Sequence, residues 1–285
     1  MIRNLSRRNL VFSLGCNAVL PALGPALNFL NMSQSDTQPS ATEKEQEMPV
    51  YDGFPTQPPE LAREMVTVSH FSLAKVQELV DARPSLARAA WDWGFGDWED
   101  ALGAASHTGN RAIALYLIKK GARPTLFSAA MLGDLNTVKA FVQSQPGVES
   151  IRGPHSISLR AHAEAGGREA RDVLAFLSGL AGSGSEREAP ISETELKSLV
   201  GTYSIGIGPN ESIEISIEVN PFSKMKEFMW TRKGSTGRPL YHVESRTFYP
   251  AGAPDVRISF VESGKGMRMT VNDPGVVLVG LRAGQ

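Results

Sequence analysis

The sequence predicts an α + β protein in separate blocks: an α-solenoid of about four helix pairs, then an antiparallel β-barrel of about eight strands. Three observations lead there. Between residues 60 and 180 one pattern of small residues, glycine and apolar pairs recurs. Beyond residue 192 the apolar period changes to two, with turn residues at hairpin spacing. Between them runs Ala181-Gly182-Ser183-Gly184-Ser185-Glu186-Arg187-Glu188-Ala189-Pro190, so 181–191 reads as a flexible linker.

Residues 1–30 open the chain with Arg3, Arg7 and Arg8 and no acid. An apolar stretch from Leu10 to Leu30 follows, interrupted by Gly15, Asn17, Pro21, Gly24 and Pro25. A charged head before an apolar run is the layout of an export segment. Ser6-Arg7-Arg8-Asn9-Leu10-Val11 resembles the twin-arginine signal, with Phe12 where that signal often has lysine. The resemblance makes Arg7 and Arg8 the export residues and implies a periplasmic or secreted bacterial protein. An apolar N-terminal helix or membrane anchor is the competing reading. Cys16 is the only cysteine. The pair Gly15-Cys16 resembles a lipoprotein cleavage site, but Ser13 stands at the key upstream leucine position. Membrane contact is therefore expected only through an uncleaved segment or lipidation at Cys16. Loss of residues 1–30 would leave no thiol for a disulfide, a nucleophile or zinc. Residues 31–59 are polar, end in Pro55, Pro58 and Pro59, and read as a disordered spacer.

Composition narrows the function classes. With 41% hydrophobic and 21% charged residues the chain is no disordered polymer, collagen or multi-pass membrane protein. Lys+Arg of 29 against Asp+Glu of 30 gives a net charge of −1, which offers no basic field for nucleic acid.

In the helical block, Leu102, Ala105 and Ser106 make a first helix slim enough to lie close to its neighbours. Gly109 reverses the chain, Ile113, Leu117 and Ile118 form a second apolar stripe, and Gly121 ends it. Leu126, Ala129, Ala130, Gly133, Val138, Phe141 and Val142 repeat the pattern. Leu159, Ala163, Gly166, Val173, Phe176 and Leu177 repeat it with two extra residues after the glycine, and Phe71, Val76, Leu79 and Val80 match in part. Turn positions 71, 109, 133 and 166 imply a long connection at 84–101 and a short one at 121–125. This block resembles the ankyrin repeats over about residues 60–180, although Asp100-Ala101-Leu102-Gly103 replaces their Thr-Pro-Leu-His. Such proteins bind other proteins through a concave face and projecting fingers, and the resemblance implies the same here.

In the second block Ile213, Ile215, Ile217 and Val219 alternate with Ser212, Glu214, Ser216 and Glu218. Runs at 199–205, 227–231, 239–243, 247–249, 256–260, 267–271 and 277–281 complete about eight strands, enough to close a small barrel. Leu199-Val200-Gly201-Thr202-Tyr203 and the stretch from Phe248-Tyr249-Pro250 to Phe260 are similar to the lipocalin-like accessory domain of exported β-lactamase-type serine hydrolases. The linker predicts few contacts between the blocks, and hence a barrel, 192–285, that folds alone.

No complete catalytic constellation is found. Ser72-Leu73-Ala74-Lys75 has the Ser-x-x-Lys spacing but none of its partner motifs, and Ser72 falls where a helix needs a cap. His107 follows Asp92, Asp97, Glu99 and Asp100 closely. Acids on a loop are usually solvated and a turn histidine usually bonds backbone, so neither a metal nor a cofactor is assigned. The unusual string is Trp91-Asp92-Trp93-Gly94-Phe95-Gly96-Asp97-Trp98 in the long connection. Trp91, Trp93, Phe95 and Asp97, with His107, are the candidate partner-binding residues. Alternatively the aromatics fold back to plug the loop against the stack. Trp98 is expected to be buried over Leu102, and Trp91 exposed. The expected function is an exported, non-enzymatic protein-binding or scaffolding module. The alternative is a hydrolase-associated or ligand-binding protein with a small-molecule or peptide site in the barrel mouth or between the blocks.

Overall fold

A computed structural model describes residues 51–180, 189–208, 211–219, 225–235, 237–264 and 266–283. The expected export segment with Arg7, Arg8 and Cys16, the spacer up to residue 50 and the linker at 181–188 lie outside the described residues. The last turn of the expected spacer is tied down: the Gln57 amide donates to Ser85 (3.0 Å) and accepts from Arg83 (2.9 Å).

Four helix pairs follow. They are α1 (Pro59–Ser69) with α2 (Leu73–Ala82), α3 (Ala101–His107) with α4 (Arg111–Lys119), α5 (Leu126–Leu132) with α6 (Leu135–Ser144), and α7 (Leu159–Ala165) with α8 (Arg171–Ser178). The first helices lie side by side in the order α1, α3, α5, α7, with α2 beside α4 and α6 beside α8. Five of the eight starts are capped by side chains: Ser72, Asp100, Thr125, Asp134 and Ser158 each accept a backbone N–H of the first turn. Gly133 has φ +78°, and a Cβ there would run into the Glu169 carbonyl. Gly109, at φ +71°, stands in the same relation to Ala165, so these turns need glycine for both the left-handed backbone and the close approach of the neighbouring turn. The stripe residues Val76, Leu102, Ile113, Leu117, Val138, Leu159, Val173 and Leu177 are buried as expected. Phe71 and Phe141, counted in the same pattern, are exposed.

The long connection 84–101 holds a two-stranded hairpin, β1 (Ala90–Asp92) and β2 (Trp98–Asp100), with Trp91 opposite Glu99. It corrects two expectations. Trp98 is 64% exposed, whereas Trp91 is half-buried with the Arg63 guanidinium over its ring. The cause is strand geometry: successive side chains point to opposite faces, so burial of Glu99 turns Trp98 outward. The helix starts only at Ala101, after the Asp100 cap.

After α9 (Glu193–Leu199), a helix the strand periodicity gave no sign of, eight antiparallel strands close into a barrel. They are β3 (Gly201–Ser204), β4 (Ser212–Val219), β5 (Lys226–Arg232), β6 (Arg238–Glu244), β7 (Thr247–Pro250), β8 (Arg257–Ser263), β9 (Gly266–Asp273) and β10 (Val276–Arg282). Each pairs with the next, and β10 closes onto β3 through Leu281↔Ser204. Tyr203, Ile215, Phe228, Phe248, Phe260 and Met269 are among the side chains that fill the interior, and Leu196 and Leu199 of α9 pack against them.

The helical block and the barrel meet at a small number of specific contacts. The described residues fall into one compact unit. The hairpin tip drives Phe95 against Trp230 (ring centroids 5.1 Å apart), Arg238 reaches Gly94 and Asp97, and the Gly252 N–H donates to Ser156 Oγ at 3.2 Å. Linker composition reports only the covalent joint; these contacts come from the hairpin and from the loop before α7, 96 to 144 residues away in sequence from the barrel residues they hydrogen-bond. No helix among the described residues is long and apolar enough to cross a membrane.

Candidate metal centre

The lateral stacking of α1 and α3 brings together the histidines that end them. His70 follows the last turn of α1, and its Nδ1 lies 3.0 Å and 3.1 Å from the carbonyl oxygens of Val66 and Thr67. A carbonyl only accepts, so the ring proton sits on Nδ1 and Nε2 faces away from the helix. His107 ends α3. The two rings are 4.9 Å apart between centroids, and the Asn110 amide binds the His70 carbonyl across the gap.

The third histidine comes from the connection before α7. His155 and Ser156 both have φ +59°, a left-handed backbone that non-glycine residues seldom adopt and that is characteristically held in place at functional sites. His155 Nδ1 bonds Asp97 Oδ2 at 2.7 Å, and its backbone N–H donates to Asp97 Oδ1 at 2.8 Å. The Nε2 atom is thereby aimed at the rings of His70 and His107.

Glu99, from β2, supplies the centre. It is 1% exposed. Its Oε1 lies 2.9 Å from His107 Nε2 and 3.4 Å from His155 Nε2, and its Oε2 is 3.4 Å from His70 Nε2 and accepts the Trp93 indole N–H at 2.8 Å. One ligand atom from each of His70, Glu99, His107 and His155 can be chosen so that all four lie within 4.8 Å of one another. Tetrahedral zinc with bonds of about 2.0–2.1 Å holds its ligand atoms about 3.3–3.4 Å apart, so the set encloses an ion by drawing its wider separations inward.

The electrostatics favour positive charge at this point. Burial works against the charge on Glu99, yet the His107 and His155 rings hold its carboxyl far below the usual carboxylate range. Burial also opposes protonation of His155, but Asp97 and Glu99 outweigh it and raise the ring to about 9. His70 is lowered by burial, and Asp97 is held ionised against its own burial by His155 and Arg238. A proton on His155 does not complete the cluster, because Glu99 Oε1 and His107 Nε2, though 2.9 Å apart, are buried and not oriented as a hydrogen bond among the described residues. His162 lies next to this group: its Nδ1 bonds the Ser158 carbonyl at 2.8 Å, and burial pushes it down to about 4, so it is neutral.

The sequence-predicted residues are partly united here. His107 is a member, Asp97 orients His155, and Trp93 binds Glu99, while Phe95 joins the barrel and Trp91 packs under Arg63. The premise that the acids ahead of His107 are solvated is corrected: Asp97 is 3% exposed and Glu99 is buried. Ser72 caps α2, and Lys75 pairs with Glu78 and Glu64, which leaves no nucleophile and base pair at that motif. His70 and His155 carried no signal individually. A signal did exist in the repeat pattern, since His70 and His107 end equivalent helices of adjacent units. Comparison with protein families, with curated proteins and with solved structures found no match to this chain.

Proposed function

We propose that this chain binds one divalent first-row transition metal ion, zinc foremost, through His70 Nε2, His107 Nε2, His155 Nε2 and a Glu99 carboxylate oxygen. The observation that carries this is the convergence of the four ligand atoms within 4.8 Å at a buried point, where Glu99 Oε1 and His107 Nε2 lie 2.9 Å apart without the orientation of a hydrogen bond. Three imidazoles and a carboxylate are a donor set of intermediate softness, suited to zinc and its first-row neighbours and poorly suited to calcium or magnesium. Behind the ligands, the Asp97 carboxylate on His155 Nδ1 and backbone carbonyls on His70 Nδ1 fix the tautomers a metal requires. Four protein ligands suit a structural site that ties the first helix pair, the hairpin, the second pair and the connection before the fourth. Isothermal titration of the chelator-treated full chain with Zn²⁺, and of Co²⁺ by its visible absorption, tests it. One equivalent bound by wild type and none by Glu99→Gln or His107→Ala is expected; a wild type that binds neither ion overturns the proposal.

We read the helical block as a divergent ankyrin stack, supported by the row of first helices and the glycine turns, and the barrel as lipocalin-like, supported by its closed eight-stranded meander. Export through the twin-arginine signal is part of the same proposal, and a site built without cysteine suits an oxidising compartment. A second role, in binding another protein through the hairpin, is favoured by the exposed Trp98. Capture of a partner that Trp98→Ala no longer retains tests that role.

A further inference from the structure

We infer that the barrel is a component of this site: Arg238, acting through Asp97, positions the His155 ring for the metal. The inference rests on the proposed function, and it assigns the second block a task the metal ligands alone do not reveal.

Both oxygens of Asp97 are engaged by His155, one by the backbone N–H and the other by ring Nδ1. Among the described residues the Arg238 guanidinium is the charged group that braces that carboxylate from the barrel side, bonding Oδ2. Arg238 is 5% exposed and stands on β6, yet its ion pair and hydrogen bonds go to the hairpin, at Asp97 and the Gly94 carbonyl. A guanidinium buried in a barrel wall is costly unless paired, and the pair here lies across the boundary between the blocks. Gly252, after β7, closes the arrangement. It has φ +84°, and a Cβ at that position would overlap the Asp97 carboxylate, so backbone alone fits there. Its N–H also holds Ser156 Oγ, next to His155, in the stretch with a left-handed backbone. The barrel thus grips the His155 loop at two points, while the remaining ligands stand on the helices and hairpin. A ligand on a strained loop reaches its ion only if its supports fix it, and carboxylate partners of ligating histidines typically change metal affinity about 10–100-fold when removed.

A docking role for the same ion pair makes a different prediction, which the experiment separates. Zn²⁺ affinity and the Co²⁺ absorption bands are measured for the full chain as wild type, Arg238→Gln, Asp97→Asn, the double variant and Trp230→Phe, with circular dichroism as the check of folding. Arg238→Gln is expected to weaken Zn²⁺ about 10–100-fold and shift the Co²⁺ bands. The double variant is expected to bind no more weakly than Asp97→Asn alone, because both act through one carboxylate. Trp230→Phe, which alters the Phe95 contact between the blocks without touching Asp97, is expected to leave both readings unchanged. Should Arg238→Gln not fold, Arg238→Lys takes its place, with a smaller loss expected. Wild-type affinity and spectrum in a folded Arg238 variant, additive losses in the double variant, or an equal loss in Trp230→Phe overturns the inference and leaves the metal site standing. A wild type that binds no metal overturns both.

Discussion

The barrel interior and the histidine–glutamate cluster are both withdrawn from water, yet they are put together differently. In the barrel, side chains such as Ile213, Ile215, Phe228 and Phe248 alternate along strands whose neighbours in sequence are neighbours in space. In the cluster, His70, Glu99, His107 and His155 come from a helix end, a strand, another helix end and a loop, separated by 29, 8 and 48 residues. Apolar burial is non-directional and follows from period and area. Polar burial requires each atom to meet a partner at a set distance and angle, and nothing in a local window specifies that. The barrel therefore tolerates approximate packing better than the cluster tolerates a loose loop.

That difference can be broken by perturbing each region in turn. The largest effect is expected from Phe248→Ala, at a position 1% exposed: a stability loss of about 3–5 kcal/mol in denaturant unfolding, with the zinc-induced stabilisation of the remaining folded protein preserved. Equal loss of both would show that core and site cannot be separated. Next is zinc itself. At free Zn²⁺ one hundred times its dissociation constant, the wild type should gain about 2.7 kcal/mol and Glu99→Gln nothing. A gain that survives Glu99→Gln places the ion elsewhere.

Smaller effects sharpen the contrast within the helical block. Gly133→Ala should cost more than about 1 kcal/mol, since the residue combines a left-handed backbone with contact against the Glu169 carbonyl. A neutral result would mean that the third and fourth pairs are not held at that turn. Trp98→Ala should change stability by no more than about 0.5 kcal/mol because the ring stands in solvent, so a melting temperature well below wild type would contradict its exposure.

Much of the architecture was legible in the sequence because it rests on local period. The recurring apolar stripes, three of them preceded by turns at Gly109, Gly133 and Gly166, located four helix pairs, and alternation at Ile213, Ile215 and Ile217 with the turns at Gly264 and Gly275 located the strands. Trp98 was misread because helical and strand periods diverge at once where a chain changes element, and Trp98 lies one residue before the Asp100 cap's neighbour Glu99. Arg238 and Gly252 read as ordinary strand and turn residues, and only their approach to Asp97 makes them part of the site.

By itself, then, the amino-acid order determined which segments become helices and strands, which faces turn inward, and that no cysteine beyond Cys16 is available as a ligand. Tertiary structure alone decided that His70, Glu99, His107 and His155 meet, and that the barrel braces their support. The physical reason is range: secondary structure answers to neighbours a few residues apart, whereas a ligand set is a coincidence of atoms within a few ångströms that only the packing of distant segments creates.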